Sequence, residues 1–392
     1  MTAETFADAR AMTTALTPSY PVYCLRPEVF TQAAERFLEL FPGRVLYAMK
    51  CNPHPRVLRA LYDAGVRHFD TASLPEIAEV NELFPDAQAY FMHPVKARAV
   101  IKIAYEVYGV RHYVIDHASE LAKVIDETGG EGITIIVRLA TPHAGAVFDL
   151  STKFGARPAL AAEMLREVDR KGCKAGMSFH VGSQCLVPHA YRSALDLVGE
   201  VVEAAHTGLA VLDVGGGFPG DYLGVEVPPL DAYIDEINAG LGALDLKSDC
   251  VLMCEPGRSL VAAGCSLVVQ VQLRKEDQIY INDGVYGSLS EMATARFRMP
   301  VHLIRLDGEP SATYREFTVA GPTCDSVDVL PVPFRLPEDV REGDWIEIEQ
   351  MGAYASALRT RFNGFYPDTF VELTAAPEPG RVAPPRKAAG LG

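Results

Sequence analysis

The chain alternates short apolar runs with longer segments in which apolar residues recur at helical spacing. Runs rich in β-branched residues predict strands, whereas apolar residues three or four positions apart predict amphipathic helices. The predicted strands cover residues 45–50, 68–73, 89–94, 112–117, 133–140, 177–183, 211–217 and 251–258. Helical spacing fills segments between them, such as 57–65, 159–172 and 190–205.

This alternation predicts an α/β fold. Strands that alternate with helices run parallel and are joined by right-handed crossovers. Eight strand–helix units in about 220 residues favour a closed (β/α)₈ barrel. An open doubly wound sheet is the alternative, because strand order cannot be deduced from periodicity.

After residue 265 the pattern changes to strand-like runs without long helices between them. These runs cover residues 266–275, 278–283, 301–306, 315–321 and 344–351. They predict a mostly antiparallel β-domain, which the run at 21–25 is expected to join. We therefore expect a barrel domain over residues 26–265 and a β-domain made from residues 1–25 and 266–373. Residues 374–392 are rich in Ala, Pro and Gly and predict a flexible tail.

Composition narrows the classes of partner. The 392 residues carry a formal net charge of −15, which mainly favours solubility and disfavours binding to nucleic acid or anionic membranes. The N-terminus lacks the features of a secretory signal, and no uncharged apolar run reaches the roughly 20 residues that span a bilayer. The eight cysteines include no CxxC pair. Reduced thiols in the cytoplasm are the expected setting, and no metal site is expected.

Ionisable residues and glycines stand at the predicted strand ends, where a barrel gathers its catalytic groups. They are Lys50, Asp70, His93, Asp116, Arg138, His180 with Ser183, the run Gly215 to Gly217, and Glu255 with Arg258. A purely structural barrel would end its strands in apolar or turn residues. The pattern therefore favours an active site at this end.

Lys50 and His180 each allow a structural and a functional interpretation. Lys50 closes an apolar strand, and a lysine in a partly dry pocket loses proton affinity, as covalent catalysis by an amine requires. The alternative is a surface lysine whose stem packs on the protein. His180 is either a satisfied core histidine or a flat ring that covers one face of a cofactor.

The other strand ends suggest an anion and a ring nitrogen. Gly215, Gly216 and Gly217 let backbone N–H groups approach an anion, although tight turns use glycine as well. With the Ser183 hydroxyl beside them, phosphate is an economical ligand. Glu255 either forms a local ion pair or holds a pyridine-type nitrogen protonated.

Longer motifs carry a resemblance to a known family. They are YAMKCNP (47–53), FDTAS (69–73), FHVGSQ (179–184), LDVGGGFPG (212–220), CEPGR (254–258), NDGVYGS (282–288), GPTCDS (321–326) and GAYASALRTRFNGF (352–365). In this order they resemble motifs of the ornithine/diaminopimelate/arginine decarboxylase family, most of all its ornithine decarboxylase branch. The resemblance spans residues 20 to 372. It implies the alanine-racemase fold type, a (β/α)₈ barrel with a β-domain, and pyridoxal 5′-phosphate as cofactor.

The resemblance also implies roles for matching positions. Lys50 would bind the cofactor covalently, Glu255 would bind its pyridine nitrogen and His180 would stack on its ring. The phosphate would be surrounded by Gly215, Gly216, Gly217, Ser183, Gly257, Arg258 and Tyr354, and other cofactor contacts would come from Asp70, Glu76 and Arg138. Cys324 would handle the proton at Cα, while Asp325 and Tyr286 would bind substrate. In the family the Cys324–Asp325 segment reaches the neighbouring subunit's site, which implies a homodimer with shared active sites.

One departure concerns the substrate's distal amine. In eukaryotic ornithine decarboxylases an acidic residue follows the DGVYGS segment by several positions, whereas this chain has no acid at or near Ala295. Glu291 is the only carboxylate in this stretch, and Arg296 and Arg298 add positive charge. Either Glu291 takes over the amine contact or the preferred substrate differs.

These observations together predict a decarboxylase of a small basic L-amino acid. L-ornithine and also L-lysine are expected, giving putrescine and cadaverine in polyamine biosynthesis. Arginine, diaminopimelate and carboxynorspermidine are alternative substrates within the family. A non-catalytic regulator resembling antizyme inhibitor is another alternative, but it predicts losses among the cofactor residues. No such loss is found at Lys50, Asp70, Arg138, Glu255, Cys324 or Asp325.

Overall fold

The computed structural model describes residues 4–141, 146–148 and 152–376. The N-terminal part comprises β1 (Thr5–Phe6), α1 (Ala9–Leu16), β2 (Val22–Leu25) and α2 (Pro27–Leu40). The central part comprises β3 (Arg44–Ala48), α3 (Pro55–Asp63), β4 (His68–Thr71), α4 (Leu74–Leu83), β5 (Gln88–Phe91), α5 (Arg98–Glu106), β6 (His112–Ile115), α6 (Ala118–Thr128), β7 (Thr134–Arg138), β8 (Ala146–Phe148), α7 (Pro158–Arg170), β9 (Lys174–Ser178), β10 (Ser183–Cys185), α8 (His189–Ala205), β11 (Val211–Asp213), α9 (Leu230–Leu241), β12 (Val251–Cys254) and α10 (Arg258–Val261).

The C-terminal part is dominated by strands. It comprises β13 (Cys265–Lys275), β14 (Gln278–Ile281), α11 (Ser290–Thr294), β15 (Val301–Ile304), β16 (Tyr314–Ala320), β17 (Phe334–Pro337), β18 (Trp345–Ile348) and β19 (Thr369–Leu373). Short 3₁₀ helices lie at Met49–Cys51, Ala262–Gly264 and Phe362–Gly364. Within the described residues, no helix is both long and apolar enough to cross a bilayer.

The central strands close into a parallel barrel in the order β3, β4, β5, β6, β7, β9, β11, β12 and back to β3. This confirms the predicted closed barrel over the open-sheet alternative. Residues of six strands or their ends form a separate apolar cluster of Leu46, Tyr90, Met92, Val114, Ile136, Val211 and Met253. Their neighbours in the strands pack in the main core instead. Because side chains fill the barrel, a ligand site has to lie at its ends.

Several strands end earlier than predicted, which moves the candidate residues into loops. β3 ends at Ala48, so Lys50 lies in the following 3₁₀ turn. β9 ends at Ser178 and β11 at Asp213, so His180 and the glycine run follow the strands. An antiparallel pair of β8 and β10, which the sequence pattern did not predict, lies outside the barrel. Loop positions suit these residues because the loops at the carboxyl ends of the strands build the site.

The second sheet has nine strands and draws on both ends of the chain. Its main order is β1, β19, β2, β13, β14, β16, β17, and β18 pairs with both β13 and β15. β2 runs antiparallel to β13 and parallel to β19. The predicted fold class, a barrel plus a mostly antiparallel β-domain, is confirmed, although the sheet also contains parallel pairs. The bounds 26–265, 1–25 and 266–373 remain our proposal for the domain division.

The first residues of the expected flexible tail, Thr374 and Ala375, have backbone hydrogen-bond partners. The N–H groups of Thr374 and Ala375 donate to the carbonyl oxygens of Phe6 and Ala7, at 3.0 and 2.8 Å. These bonds continue the pairing of β19 with β1, so the first tail residues have fixed partners. Residues 377–392 of the expected tail lie outside the described residues.

Candidate active site

Lys50 and Asp70 come together at the carboxyl ends of β3 and β4. Lys50 Nζ donates to Asp70 Oδ2 at 2.5 Å, and the Asp70 side chain is only 2% exposed. Burial lowers the pKa of Lys50, but the nearby carboxylate of Asp70, with smaller electrostatic contributions from Tyr354 and Glu255, outweighs burial and raises this pKa above its ordinary value. The sequence predicted that a partly dry pocket would lower the pKa of Lys50. This prediction is wrong, because it did not include the Asp70 carboxylate beside the amine.

The Lys50 turn is joined to the segment that carries Tyr354. Asn52 Nδ2 donates to the carbonyl oxygen of Gly352 at 2.8 Å, and the Tyr354 N–H donates to that of Cys51 at 2.9 Å. Tyr354 has a φ of 55°, a left-handed conformation that is uncommon for a tyrosine. These bonds hold the ring of Tyr354 beside the barrel mouth. Asn52 lies within a quoted motif, but the sequence offered no signal for this role.

The glycine run after β11 is required by close backbone contacts. Gly215 and Gly217 have φ values of 68° and 115°, which disfavour any residue with a Cβ. A Cβ on Gly216 would lie 2.6 Å from the Glu255 carbonyl oxygen and 3.0 Å from His180 Nε2. The glycines thus let the loops after β9, β11 and β12 converge on one place, as an anion cradle requires.

Ser183 is held beside this cradle by bonds from its neighbours. The Cys185 N–H donates to the Gly217 carbonyl oxygen at 2.9 Å. The side chain of Gln184 forms two bonds with the backbone of Gly220, at 2.8 and 2.9 Å. The short strand that begins at Ser183 is therefore fastened to the glycine loop.

His180 presents a neutral ring. Its Nδ1 accepts the Gly182 N–H at 3.0 Å, and its carbonyl oxygen accepts the Thr141 hydroxyl at 3.0 Å. Burial lowers the pKa of His180 well below its ordinary range, and the positive charges of Arg138 and Lys50 add to this effect. A neutral, oriented imidazole is suited to stack on an aromatic ring.

Glu255 shares a buried environment with Asp213, a residue that the sequence analysis did not single out. Asp213 is fully buried, and its Oδ1 accepts the Gly215 N–H at 2.8 Å. Burial raises the pKa of Asp213 to about 6, and burial together with the charges of Asp213 and Asp70 raises that of Glu255 well above its ordinary range. Raised pKa values on two neighbouring buried acids favour one proton on the pair. An acid closing an apolar strand before a glycine run was the available signal for Asp213.

Arg258 is the buried cation of the site and is paired with Glu291. Its Nη1 and Nη2 donate to Glu291 Oε2 and Oε1 at 2.7 and 2.5 Å, and Nη1 also donates to the Tyr222 hydroxyl at 2.6 Å. The rings of Phe297 and Tyr354 each lie 5.1 Å from its Cζ. Arg258 Nε is buried and has no hydrogen-bond partner in the described part of the chain. Glu291, expected at the substrate's amine, thus gives both oxygens to Arg258.

The remaining predicted cofactor residues have modest contacts. A Cβ on Gly257 would lie 3.1 Å from Cys51 Cβ, so glycine lets the loop after β12 pack on the Lys50 turn. Arg138 lies with its Cζ 5.5 Å from the centroid of the Phe154 ring. Glu76 Oε2 accepts the Ala72 N–H at 2.6 Å, and burial raises the pKa of Glu76.

Cys324 and Asp325 belong to a second group of residues on the β-domain. Asn363 Oδ1 accepts both the N–H and the thiol of Cys324, each at 3.2 Å. Asp325 Oδ2 accepts the Tyr286 hydroxyl at 2.5 Å, and this bond holds the pKa of Asp325 below its ordinary value. No hydrogen bond or ion pair between described residues joins this second group to Lys50.

Exposed apolar side chains adjoin the second group in the chain. Val327 is 65% exposed and Phe362 40% exposed, and the Phe362 ring centroid lies 4.6 Å from that of Tyr286. We define the apolar rim as Val327, Val329, Leu358, Phe362 and Phe365, all of which are exposed. Such exposed apolar surface beside polar functional groups is typical of an interface.

The residues at the barrel mouth around Lys50, which form the first group, fit pyridoxal 5′-phosphate on physical grounds. Among the described residues, Arg258 Nε is a buried donor without a partner, and the glycine run lets three loops converge where any Cβ would collide with protein atoms. Lys50 supplies an amine, and the Asp213–Glu255 pair supplies a proton beside it. These are the groups needed for a phosphate, an aldehyde and a ring nitrogen.

Comparisons with known proteins agree with this geometry. Residues 28–262 match the family model described as the pyridoxal-binding domain of pyridoxal-dependent decarboxylases. A lysine/ornithine decarboxylase from Selenomonas ruminantium is 37% identical over 332 residues, covering 82% of this chain and 81% of the relative. An antizyme inhibitor 2 from Xenopus laevis is 33% identical over 362 residues, covering 84% of this chain and 76% of the relative.

A solved structure is similar over almost the whole chain. It is a lysine/ornithine decarboxylase from Vibrio vulnificus complexed with putrescine, with a TM-score of 0.80 and 31% identity. The superposition covers 94% of this chain and 99% of that one. The family and cofactor predicted from the motifs are confirmed. The chain belongs to the family of pyridoxal-phosphate-dependent amino-acid decarboxylases.

Proposed function

We propose that the protein removes the α-carboxylate of L-ornithine, and also of L-lysine, to form putrescine and cadaverine in polyamine biosynthesis. The observation that carries this proposal is the anionic Asp325 next to the thiol of Cys324. Tyr286 and the Val327 N–H hold the two oxygens of Asp325, at 2.5 and 3.0 Å. An oriented carboxylate attracts a distal ammonium group, whereas the distal group of a neutral amino acid would leave it unpaired.

Relatives support the choice of a diamino acid. One similar protein is named for both lysine and ornithine, and a similar structure holds putrescine. Both substrates end in a primary ammonium and differ by one methylene. A single methylene changes discrimination only modestly, by about 10- to 200-fold, so one carboxylate can serve both.

The cofactor, when bound, accepts the electron pair that remains on Cα after carbon dioxide leaves. The residues of the first group prepare this chemistry. Lys50 provides the amine for covalent attachment, and Asp70 stabilises its charge when the amine is protonated. The buried acids Asp213 and Glu255 would supply a proton to a pyridine nitrogen, and Glu255 would hold that nitrogen as its carboxylate partner. The neutral His180 ring can stack without adding charge.

Cys324 completes the reaction by returning a proton. Its Sγ–H donates to Asn363 Oδ1, so the thiol proton has a defined direction. Transfer of this proton to Cα forms the C–H bond of the amine product and leaves a thiolate, which regains a proton from water. A positioned acid of this kind contributes by general acid catalysis.

We further propose a homodimer in which Cys324 and Asp325 serve the partner's Lys50 site. Within one chain these residues are bonded to Asn363 and Tyr286, not to the Lys50 group. The apolar rim offers a surface for a second copy, because a two-fold axis would place each rim against its equivalent region. Each active site would then contain residues of both subunits.

A cytoplasmic location is part of the same proposal. All eight cysteines are free of disulfides, and Cys324 alone among them is exposed. An exposed catalytic thiol needs a reducing environment to stay reduced. Oxidation of Cys324 would remove the proton donor.

The substrate proposal is tested by carbon dioxide release from ornithine, lysine, arginine and diaminopimelate at matched concentrations. Ornithine and lysine should give the highest kcat/KM. A preference for arginine or diaminopimelate would overturn the substrate. Cofactor binding without release from any amino acid would favour a regulator similar to the antizyme inhibitor relative.

A further inference from the structure

The guanidinium of Arg258 is enclosed by groups that come from distant parts of the chain. Arg258 is 3% exposed, and the side chain of its partner Glu291 is 11% exposed. Their paired bonds at 2.7 and 2.5 Å form the bidentate arrangement in which a carboxylate holds a guanidinium in one plane. The rings of Tyr222, Phe297 and Tyr354 lie within 5.7 Å of Cζ. Little freedom remains for this side chain.

The donors of Arg258 are divided between two tasks. A guanidinium has five N–H donors. Glu291 and Tyr222 take donors of the two terminal nitrogens, whereas no partner of the buried Nε is found in residues 4–141, 146–148 or 152–376. The Cδ atom that carries Nε lies against the glycine-rich loop, since a Cβ on Gly220 would be 3.4 Å from it. The Nε–H donor therefore lies on the part of Arg258 that is next to the glycine-rich loop.

From this arrangement we propose that Glu291 is a positioning residue for Arg258 in the phosphate cradle, and not the ligand of the substrate's distal amine. Glu291 compensates a buried cation and fixes its plane, so that Nε–H is available to a phosphate. Its charge is balanced by Arg258, which leaves Asp325 as the anion for the distal amine. The inference rests on the cofactor site described above and deepens the proposed function.

Glu291→Gln is a suitable test because the amide has the size of the carboxylate but cannot accept both N–H bonds from Arg258. A glutamine has one carbonyl oxygen that accepts and an NH₂ group that donates, so its N–H groups would face those of Arg258. The guanidinium would turn from its plane, and the phosphate would lose an oriented donor. Glu291→Asp keeps the charge on a shorter side chain and should restore part of the effect. Glu342→Gln, on the exposed surface of the β-domain, is a matched control for the loss of one negative charge.

The readout compares two ligands that differ only in the phosphate. Dissociation constants of pyridoxal 5′-phosphate and of pyridoxal are measured by absorbance titration of each full-length variant. We expect Glu291→Gln to weaken binding of the phosphorylated ligand by about tenfold or more, with binding of pyridoxal changed less than about twofold, because a broken buried charge pair is a large loss. Glu291→Asp should lie between wild type and Glu291→Gln, and Glu342→Gln should match wild type.

A second measurement separates positioning from substrate binding. At saturating cofactor, KM for ornithine should stay within about twofold of wild type in Glu291→Gln, because Asp325 remains. A large rise in KM with unchanged cofactor affinity would overturn the proposal and assign Glu291 to the amine. Equal weakening of both ligands would also overturn it. If Glu291→Gln does not fold, the dissociation constants of the two ligands are compared in Glu291→Asp instead. A positioning role predicts that this variant loses affinity for pyridoxal 5′-phosphate but not for pyridoxal.

This test does not depend on the substrate. If wild type binds pyridoxal 5′-phosphate but decarboxylates neither ornithine nor lysine, the proposed substrates fail while the two-ligand comparison still stands. If turnover is as proposed and the two-ligand comparison shows no selective loss, only the role of Glu291 fails.

Discussion

Lys50 Nζ donates to Asp70 Oδ2 at 2.5 Å, and this contact keeps the amine charged before the cofactor is attached. Attack on an aldehyde requires the neutral amine. Asp70 therefore opposes the first step while it stabilises the positive charge that the lysine bears when it is released again. The pair makes cofactor attachment dependent on pH.

Asp70→Asn should shift this dependence to lower pH. Asp70 is the largest of the influences that raise the pKa of Lys50, so its loss lets burial lower that pKa. The neutral fraction of Lys50 then grows at a given pH, and attachment becomes faster at pH 7. Stopped-flow absorbance across a pH series measures the rate. A profile identical to that of wild type would contradict the role of Asp70.

Lys50→Ala should abolish covalent attachment. Purified wild-type protein is expected to absorb in the near-visible region because the cofactor is linked to the lysine nitrogen. The variant lacks that nitrogen, so this band should disappear, and sodium borohydride should no longer fix the cofactor to the chain. A band that survives the substitution would show that another residue carries the link.

Cys324→Ala should leave cofactor binding intact and impair product formation. The thiol lies with Asn363 and not with the Lys50 group of its own chain, so its loss does not disturb the cradle. Loss of a positioned acid lowers kcat by about 10²- to 10⁴-fold. The measurements are the cofactor titration and the amine product by chromatography. Unchanged turnover with an unchanged product would remove Cys324 from the mechanism.

Mixing two inactive variants tests the shared site. If each site combines Lys50 of one subunit with Cys324 of the other, a dimer of one Lys50→Ala and one Cys324→Ala subunit has one site with both residues intact. Its other site lacks both residues. Random exchange of equal amounts makes half of the dimers mixed, and activity should return to about a quarter of wild type. Val327→Asp in the apolar rim should weaken the dimer in sedimentation and reduce this recovery. Sites formed within one chain would show no recovery.

Asp213 should make the free energy of unfolding decrease as the pH rises from 3.8 to about 6. Its pKa is raised from 3.8 to about 6 in the folded protein, so the folded state binds more protons than the unfolded state between these values. The free energy of unfolding then decreases through this range, by about 1–3 kcal/mol for a fully buried acid. Asp213→Asn does not titrate and should flatten the decrease in Tm of the cofactor-free protein between pH 4 and 6. Asp283, whose pKa burial also raises to about 6, should preserve part of the slope. An unchanged slope would show that Asp213 is ionised when folded.

Local pattern accounts for much of the architecture and of the candidate site. Period and length distinguish strands from helices, so eight units and a closed barrel were predictable from the chain. Lys50, His180 and Glu255 were found because they lie in the final parts of predicted strands, at the end where a barrel places its site. Their positions in loops, and not on strands, were missed because strand ends depend on hydrogen bonds with neighbouring strands.

The sequence by itself determined the fold class, the family motifs and the chemical types at the barrel mouth, because these depend on neighbouring residues along the chain. Only the tertiary structure decided which groups face each other. Arg258 and Glu291 are 33 positions apart, and no periodicity relates them. Likewise, the charge of Lys50 depends on the carboxylate that folding brings to its amine, and the proton of Glu255 depends on Asp213. Burial and distance set these electrostatic energies, and both are properties of the folded chain.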